Sequence, residues 1–159
     1  MIVILDASTL INLVNGGVLS EVLNLPDHRF LVSGVVRNES RSVAAAVDVA
    51  VSTGKLGLVD DGVISANAFR EAKRKMQLDD GETECILAAR VMACAIGCDD
   101  RAARAFAKRE LGEASLTGSI GLLRQAVVAG LITQPSAFAS YKLMVAHGGY
   151  LPAIDEAGF

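Results

Sequence analysis

The chain has 159 residues, 52% hydrophobic and 21% charged, with 15 basic against 18 acidic side chains and a formal net charge of −3. That balance excludes a disordered tail, and the slight acidity excludes a protein that grips nucleic acid by bulk charge alone. With no Trp and only 4% aromatic residues, the core must be aliphatic, and a stacking platform for bare bases is not expected.

Met1 to Leu5 is a continuous apolar run ended by Asp6, which predicts a buried parallel strand. Thr9 to Val14 has a helical pattern with Ser8 as its N-cap. Gly16 and Gly17 break it, and Val18 to Leu25 resumes before Pro26. Phe30 to Val32 predicts a second strand, and one long helix is expected from about Gly34 to Thr53, stopped by Gly54. Leu56 to Val59 predicts a third strand, closed by Asp60, Asp61 and Gly62. Ile64 to Lys75 is a helix with a basic end, which suits a helix C-terminus. Asp79-Asp80-Gly81 is a turn, and Glu82 to Ala93 a strong helix. Ala95 to Cys98 is a strand ending at Asp99 and Asp100. Then come a helix over Arg101 to Arg109, a short strand over Ala114 to Leu116, and a helix over Ser119 to Ala129. A last helix follows Pro135. Strands alternating with helices imply an α/β fold whose parallel sheet is covered on both faces. The length suits one domain over 1–159.

Cys85, Cys94 and Cys98 are an odd number, and no second Cys/His cluster completes a zinc site. They are expected to be reduced, buried thiols of a cytoplasmic protein. The opening MIVILDAST has no basic leader, and no apolar run approaches the ~20 residues that cross a bilayer.

In parallel α/β folds, ligands bind beyond the carboxyl ends of the strands. Asp6, Asp60, Asp61, Asp99 and Asp100 follow strands. Asp6 either caps a helix or stands at the mouth of the sheet. Asp61-Gly62 is also an ordinary turn, so that pair ranks lower. On the long helix, Glu39 interrupts an apolar stripe of Val36, Val43, Ala46, Val47 and Ala50. Such a carboxylate is metal-bound, paired with Arg37 or Arg41, or at the core's edge. Glu82 is explained by an acidic first helical turn. Glu84 aligns with Leu87, Ala88 and Val91, so it is favoured over Glu82 as a functional acid. Scattered oxygen donors of this kind suit Mg²⁺ or Mn²⁺, which can activate water against a phosphodiester.

Several stretches resemble the PIN domain family, many of whose members are small metal-dependent ribonucleases, VapC-type toxins among them. The opening Ile4-Leu5-Asp6-Ala7-Ser8-Thr9-Leu10-Ile11 is similar to the family's first motif. Asp79 to Ala89 resembles a subgroup with a Gly-Glu-x-Glu motif, and its register puts Glu84 at the third acidic position. Cys98-Asp99-Asp100-Arg101 resembles the fourth acidic motif, and Thr117 to Leu123 a strand-to-helix segment. The resemblance implies a three-layer α/β/α sandwich with a Mg²⁺ or Mn²⁺ site made by Asp6, Glu39, Glu84, Asp99 and Asp100. Ser8 would support Asp6. The implied activity is RNA hydrolysis that leaves a 5′-phosphate, with an antitoxin protein as partner and a homodimer as assembly. Arg101, Arg104 and Lys108 form one helical stripe that could hold RNA phosphates, and Thr117 and Ser119 could touch a phosphate. The sequence departs from the family in having Glu at position 84 and Ala103 where many members carry an acid or His. A catalytically silent binding module of the same fold is the alternative.

Overall fold

Val3, Ile4 and Leu5 have no exposed surface, so the first strand, β1 (Ile2–Leu5), needs cover on both faces. The computed structural model, which describes residues 1–159, supplies it as an α/β/α sandwich around five parallel strands. The others are β2 (Arg29–Val32), β3 (Leu56–Leu58), β4 (Ala95–Gly97) and β5 (Leu116–Thr117), in spatial order β3-β2-β1-β4-β5. Leu5 pairs with Gly97, so the residues after β1 and β4 emerge side by side. Successive connections run one way from β1 to β3 and the other way through β4 and β5. The crevice between β1 and β4 is therefore the switch point at which such sheets bind ligands.

The helices are α1 (Ala7–Asn15), α2 (Leu19–Leu23), α3 (Gly34–Glu39), α4 (Ala44–Ser52), α5 (Ala66–Met76), α6 (Asp80–Met92), α7 (Arg101–Leu111), α8 (Ser119–Val128) and α9 (Gln134–Ala146). They bury one continuous cluster of 39 residues, aliphatic apart from Phe30, Phe106, Tyr141 and sulfur-bearing side chains. The three cysteines are free, Cys85 and Cys98 buried and Cys94 half-buried. No helix is long and apolar enough to cross a membrane.

Three boundaries differ from the sequence reading. The long helix expected over Gly34 to Thr53 is two helices, α3 and α4, joined by a 3-10 turn over Arg41–Val43. Ser40 is fully buried, and its hydroxyl donates back to the Val36 carbonyl at 2.8 Å, taking an acceptor from the helical ladder. The break leaves Glu39 at the end of α3, not within a stripe. The N-cap of α1 is Asp6, not Ser8: its carboxylate accepts from Thr9 N at 2.8 Å. The fifth strand starts at Leu116, since Glu113–Ser115 forms a 3-10 turn.

Candidate active site

Asp6 leaves β1 at the switch point and is 1% exposed. Ser8 Oγ lies 3.0 Å from both of its carboxylate oxygens and accepts from Asp99 N at 3.2 Å. One hydroxyl thus joins the chain after β1 to the chain after β4. The Asp6 carboxyl is pushed up to about 6, chiefly by burial; donation from Cys98, Thr9 and Ser8 restrains the rise, and the Asp99 charge adds to it. Burial also pushes the Cys98 thiol well up, so it serves Asp6 as a neutral donor.

Asp99 is held by three donors. Asn12 Nδ2 reaches Oδ2 at 2.8 Å, Ser119 N reaches Oδ1 at 2.9 Å, and Ser119 Oγ also bonds Oδ2. Gly118 makes this possible: a Cβ there would stand 2.5 Å from Asp99 Oδ1 and 3.0 Å from the Cys98 carbonyl. Sequence reasoning passed over Asn12, and it offered Ser119 to a phosphate. Both are buried, and Ser119 faces Asp99. Their signal was a polar side chain on an otherwise apolar helix face, visible only once that face is known.

Asp100 caps α7, accepting from Ala102 N at 2.8 Å and Ala103 N at 2.9 Å. Glu39 lies against the first turn of α6, where Gly81 N donates to its Oε1 at 3.3 Å. A Cβ at Gly81 would overlap the Glu39 carboxylate, so this glycine, read from sequence as a turn residue, admits Glu39 to the helix terminus.

The two glutamates of α6 part company, as their spacing predicted. Glu82 closes a capping box, accepting from Asp79 N at 3.1 Å. Burial raises its carboxyl above the ordinary range, and the charges of Asp100, Asp79 and Asp6 raise it further, which places it in the field of the switch-point acids. Glu84 lines a groove of about 340 Å³ with Val35, Ile64, Phe69 and Arg70, and its Oε2 is buried without a partner. The stripe that favoured Glu84 does not lie wholly in the core, because Val91 is exposed. Glu82 thus has the helix-start role its sequence position predicted, and the charges of Asp6, Glu84, Glu39 and Glu82 all bear on the buried Cys85 thiol.

The basic stripe is also spent differently. Arg104 Nη1 donates to the carbonyls of Cys98 at 2.6 Å and Thr117 at 2.8 Å, clamping the ends of β4 and β5. Lys108 pairs with Glu113 at 2.9 Å. Arg101 is exposed at the start of α7. Thr117 lies beside Gly121, where a Cβ would meet its Oγ1 at 2.5 Å. Asp60 folds back on Gly62 N at 2.7 Å, in a loop after the edge strand and away from the crevice.

A family model described as a PIN domain matches residues 2–153. The chain belongs to the PIN domain family. No curated protein and no solved structure is significantly similar to it. PIN domains are in general nucleases that use divalent metals, so this PIN chain carries a nuclease fold with nucleic acid as its implied substrate class. The donor set fits in kind. Asp6, Glu39, Glu82, Asp99 and Asp100 are hard oxygen donors, and none joins the five Lys or Arg ion pairs. Charges that push Asp6 and Glu82 upward are charges a cation would neutralise. No group of three His, Cys, Asp or Glu side chains is close enough together to hold a metal ion by itself. Mg²⁺ is usually held by one or two carboxylates together with waters and substrate phosphates, which is the pattern this open arrangement suits.

Proposed function

We propose that this PIN domain, expected to be a single unit over 1–159, is a Mg²⁺- or Mn²⁺-dependent endoribonuclease. The observation that carries the reading is the pairing of Asp6 and Asp99 across the switch point without any basic partner. Asp6 and Asp99 would hold the ion, with Glu39 and Glu82 beside it. Asp100 would add charge while capping α7. A bound ion would activate water at neutral pH and offset charge gathering on the phosphodiester. Ser8 orients Asp6, while Asn12 and Ser119 fix Asp99, so both acids are set before substrate arrives. His28 is turned to the Pro26 carbonyl and stacked on Phe30, which gives no support to a His-pair mechanism. The reading extends to the toxin half of a toxin–antitoxin pair, with an antitoxin protein as partner, a homodimer as assembly and the cytoplasm as location. That no three of these acids gather closely enough to hold an ion by themselves favours the second reading, a silent binding module of the same fold.

The test is cleavage of single-stranded RNA in Mg²⁺ or Mn²⁺. Cleavage should leave 5′-phosphates, stop in EDTA, and vanish with Asp6→Asn. Cleavage that persists in EDTA, or 2′,3′-cyclic ends, would exclude the mechanism. Strand binding by an inert wild type would favour the silent module.

A further inference from the structure

A cleft of about 280 Å³ opens beside the paired acids. Asn12, Asn15, Asp99 and Asp100 form its walls, and His147 and Tyr150 close its rim. The last two lie in the turn after α9, far in sequence from every acidic motif.

Tyr150 is 87% exposed. The chain's close ring pairs join His28 to Phe30 and connect Phe138, Tyr141 and Phe159, so the Tyr150 ring has no aromatic neighbour. Its backbone is nonetheless pinned on both sides. Gly148 turns the chain off α9 with φ of +89°, a conformation that favours glycine. Gly149 rests on the residue that holds Asp99: a Cβ there would lie 2.5 Å from Asn12 Oδ1 and 2.8 Å from the Met144 carbonyl. Leu151 N donates to the Gly149 carbonyl at 3.1 Å, and Tyr141 Oη donates to the Pro152 carbonyl at 3.1 Å. An apolar ring is thus set at the mouth of an acidic cleft on a fixed support, with both faces open.

We propose that this cleft is the subsite for the nucleotide next to the scissile phosphate, its base stacked on Tyr150. The inference rests on the nuclease reading and names its substrate as an unpaired strand, because a base in a duplex keeps its faces covered. The cleft holds polar groups suited to a base edge. Asn15 offers an amide donor and acceptor. His147 Nδ1 is 2.8 Å from the Leu143 carbonyl, to which it donates, so Nε2 is the ring nitrogen left for a ligand. Stacking on one ring tolerates every base, so Tyr150 contributes affinity and position, and the two polar groups contribute selection. The held backbone limits what must be ordered on binding to the two side-chain torsions of the Tyr150 ring.

A single-stranded oligoribonucleotide carrying 2-aminopurine, mixed with the full chain in Mn²⁺, reports stacking as lost fluorescence. Gel analysis of the same samples reports cleavage. Tyr150→Ala should lose the quench and raise KM by about tenfold, with the larger effect on KM rather than kcat. Tyr150→Phe should keep both properties, because the ring and not the hydroxyl stacks. The strand annealed to its complement should bind wild type and Tyr150→Ala alike. Wild-type quench and KM in Tyr150→Ala, on RNA that the wild type cleaves, overturn the subsite and leave the nuclease reading intact. A wild type that neither binds nor cleaves overturns both. Quenching that needs Tyr150 in a chain that cleaves nothing overturns the nuclease reading, and with it a place beside a scissile bond.

Discussion

Asn12 Nδ2 donates to Asp99 Oδ2 at 2.8 Å, joining residues 87 positions apart and tying α1 to the end of β4. The bond is a charge-assisted one under cover of protein, where a missing donor is felt most. Asn12→Ala should cost about 1–3 kcal/mol in urea unfolding with an unchanged m-value. RNA cleavage should fall at least about tenfold, since Asp99 can then turn away from Asp6. Wild-type stability and rate in this variant would show that the Ser119 bonds alone fix Asp99.

Glu82 and Glu84 should separate cleanly. Glu82→Gln should lower RNA cleavage by more than about tenfold, because it removes charge from the field around Asp6 and Asp100. Glu84→Gln should stay within a few-fold of wild type, because its side chain lines the groove shared with Ile64 and Phe69. Loss of cleavage in Glu84→Gln alone would return the third acid to the position that the motif register chose.

Asp6 should make the metal-free protein less stable as pH rises. Its carboxyl titrates near 6 in the fold, above the ordinary value of 3.8. Below about pH 4 both the folded and unfolded forms hold the proton, and no penalty exists. Between about 4 and 6 the folded form binds more protons than the unfolded one, so stability falls with pH. Above about 6 the full penalty persists, about 3 kcal/mol by linkage. Asp6→Asn keeps an acceptor for Thr9 N, so in EDTA it should exceed wild type in stability at pH 8 and match it at pH 4. Urea unfolding at the two pH values checks this. Excess Mn²⁺ should then raise the stability of wild type and not that of Asp6→Asn. A variant less stable than wild type at pH 8 would refute the burial penalty.

The apolar strand runs, their alternation with helices and the acids that follow them were legible because each rests on local chemistry. A run such as Met1 to Leu5 can be satisfied only between two helical layers, and an acid ending it must emerge at the sheet's edge. The split of the long helix at Ser40 was not legible. A buried hydroxyl bonding back to Val36 and a serine on a solvated face read alike in sequence. Spacing along α6 showed that Glu82 and Glu84 face different sides, but not which side meets Asp6. That depends on how α6 seats on β1 and α3, with Gly81 pressed on Glu39.

The sequence by itself determined the alternating α/β order and the placing of Asp6 and Asp99 at strand ends, since hydrophobic period and turn chemistry act over a few residues. Only the tertiary structure decided their partners. Asn12, Ser119 and Gly118 around Asp99, the clamp of Arg104 on two strand ends and the approach of Tyr150 all join distant segments. Such pairings arise when parallel strands are brought into register, and the spacing of residues along the chain carries no record of them.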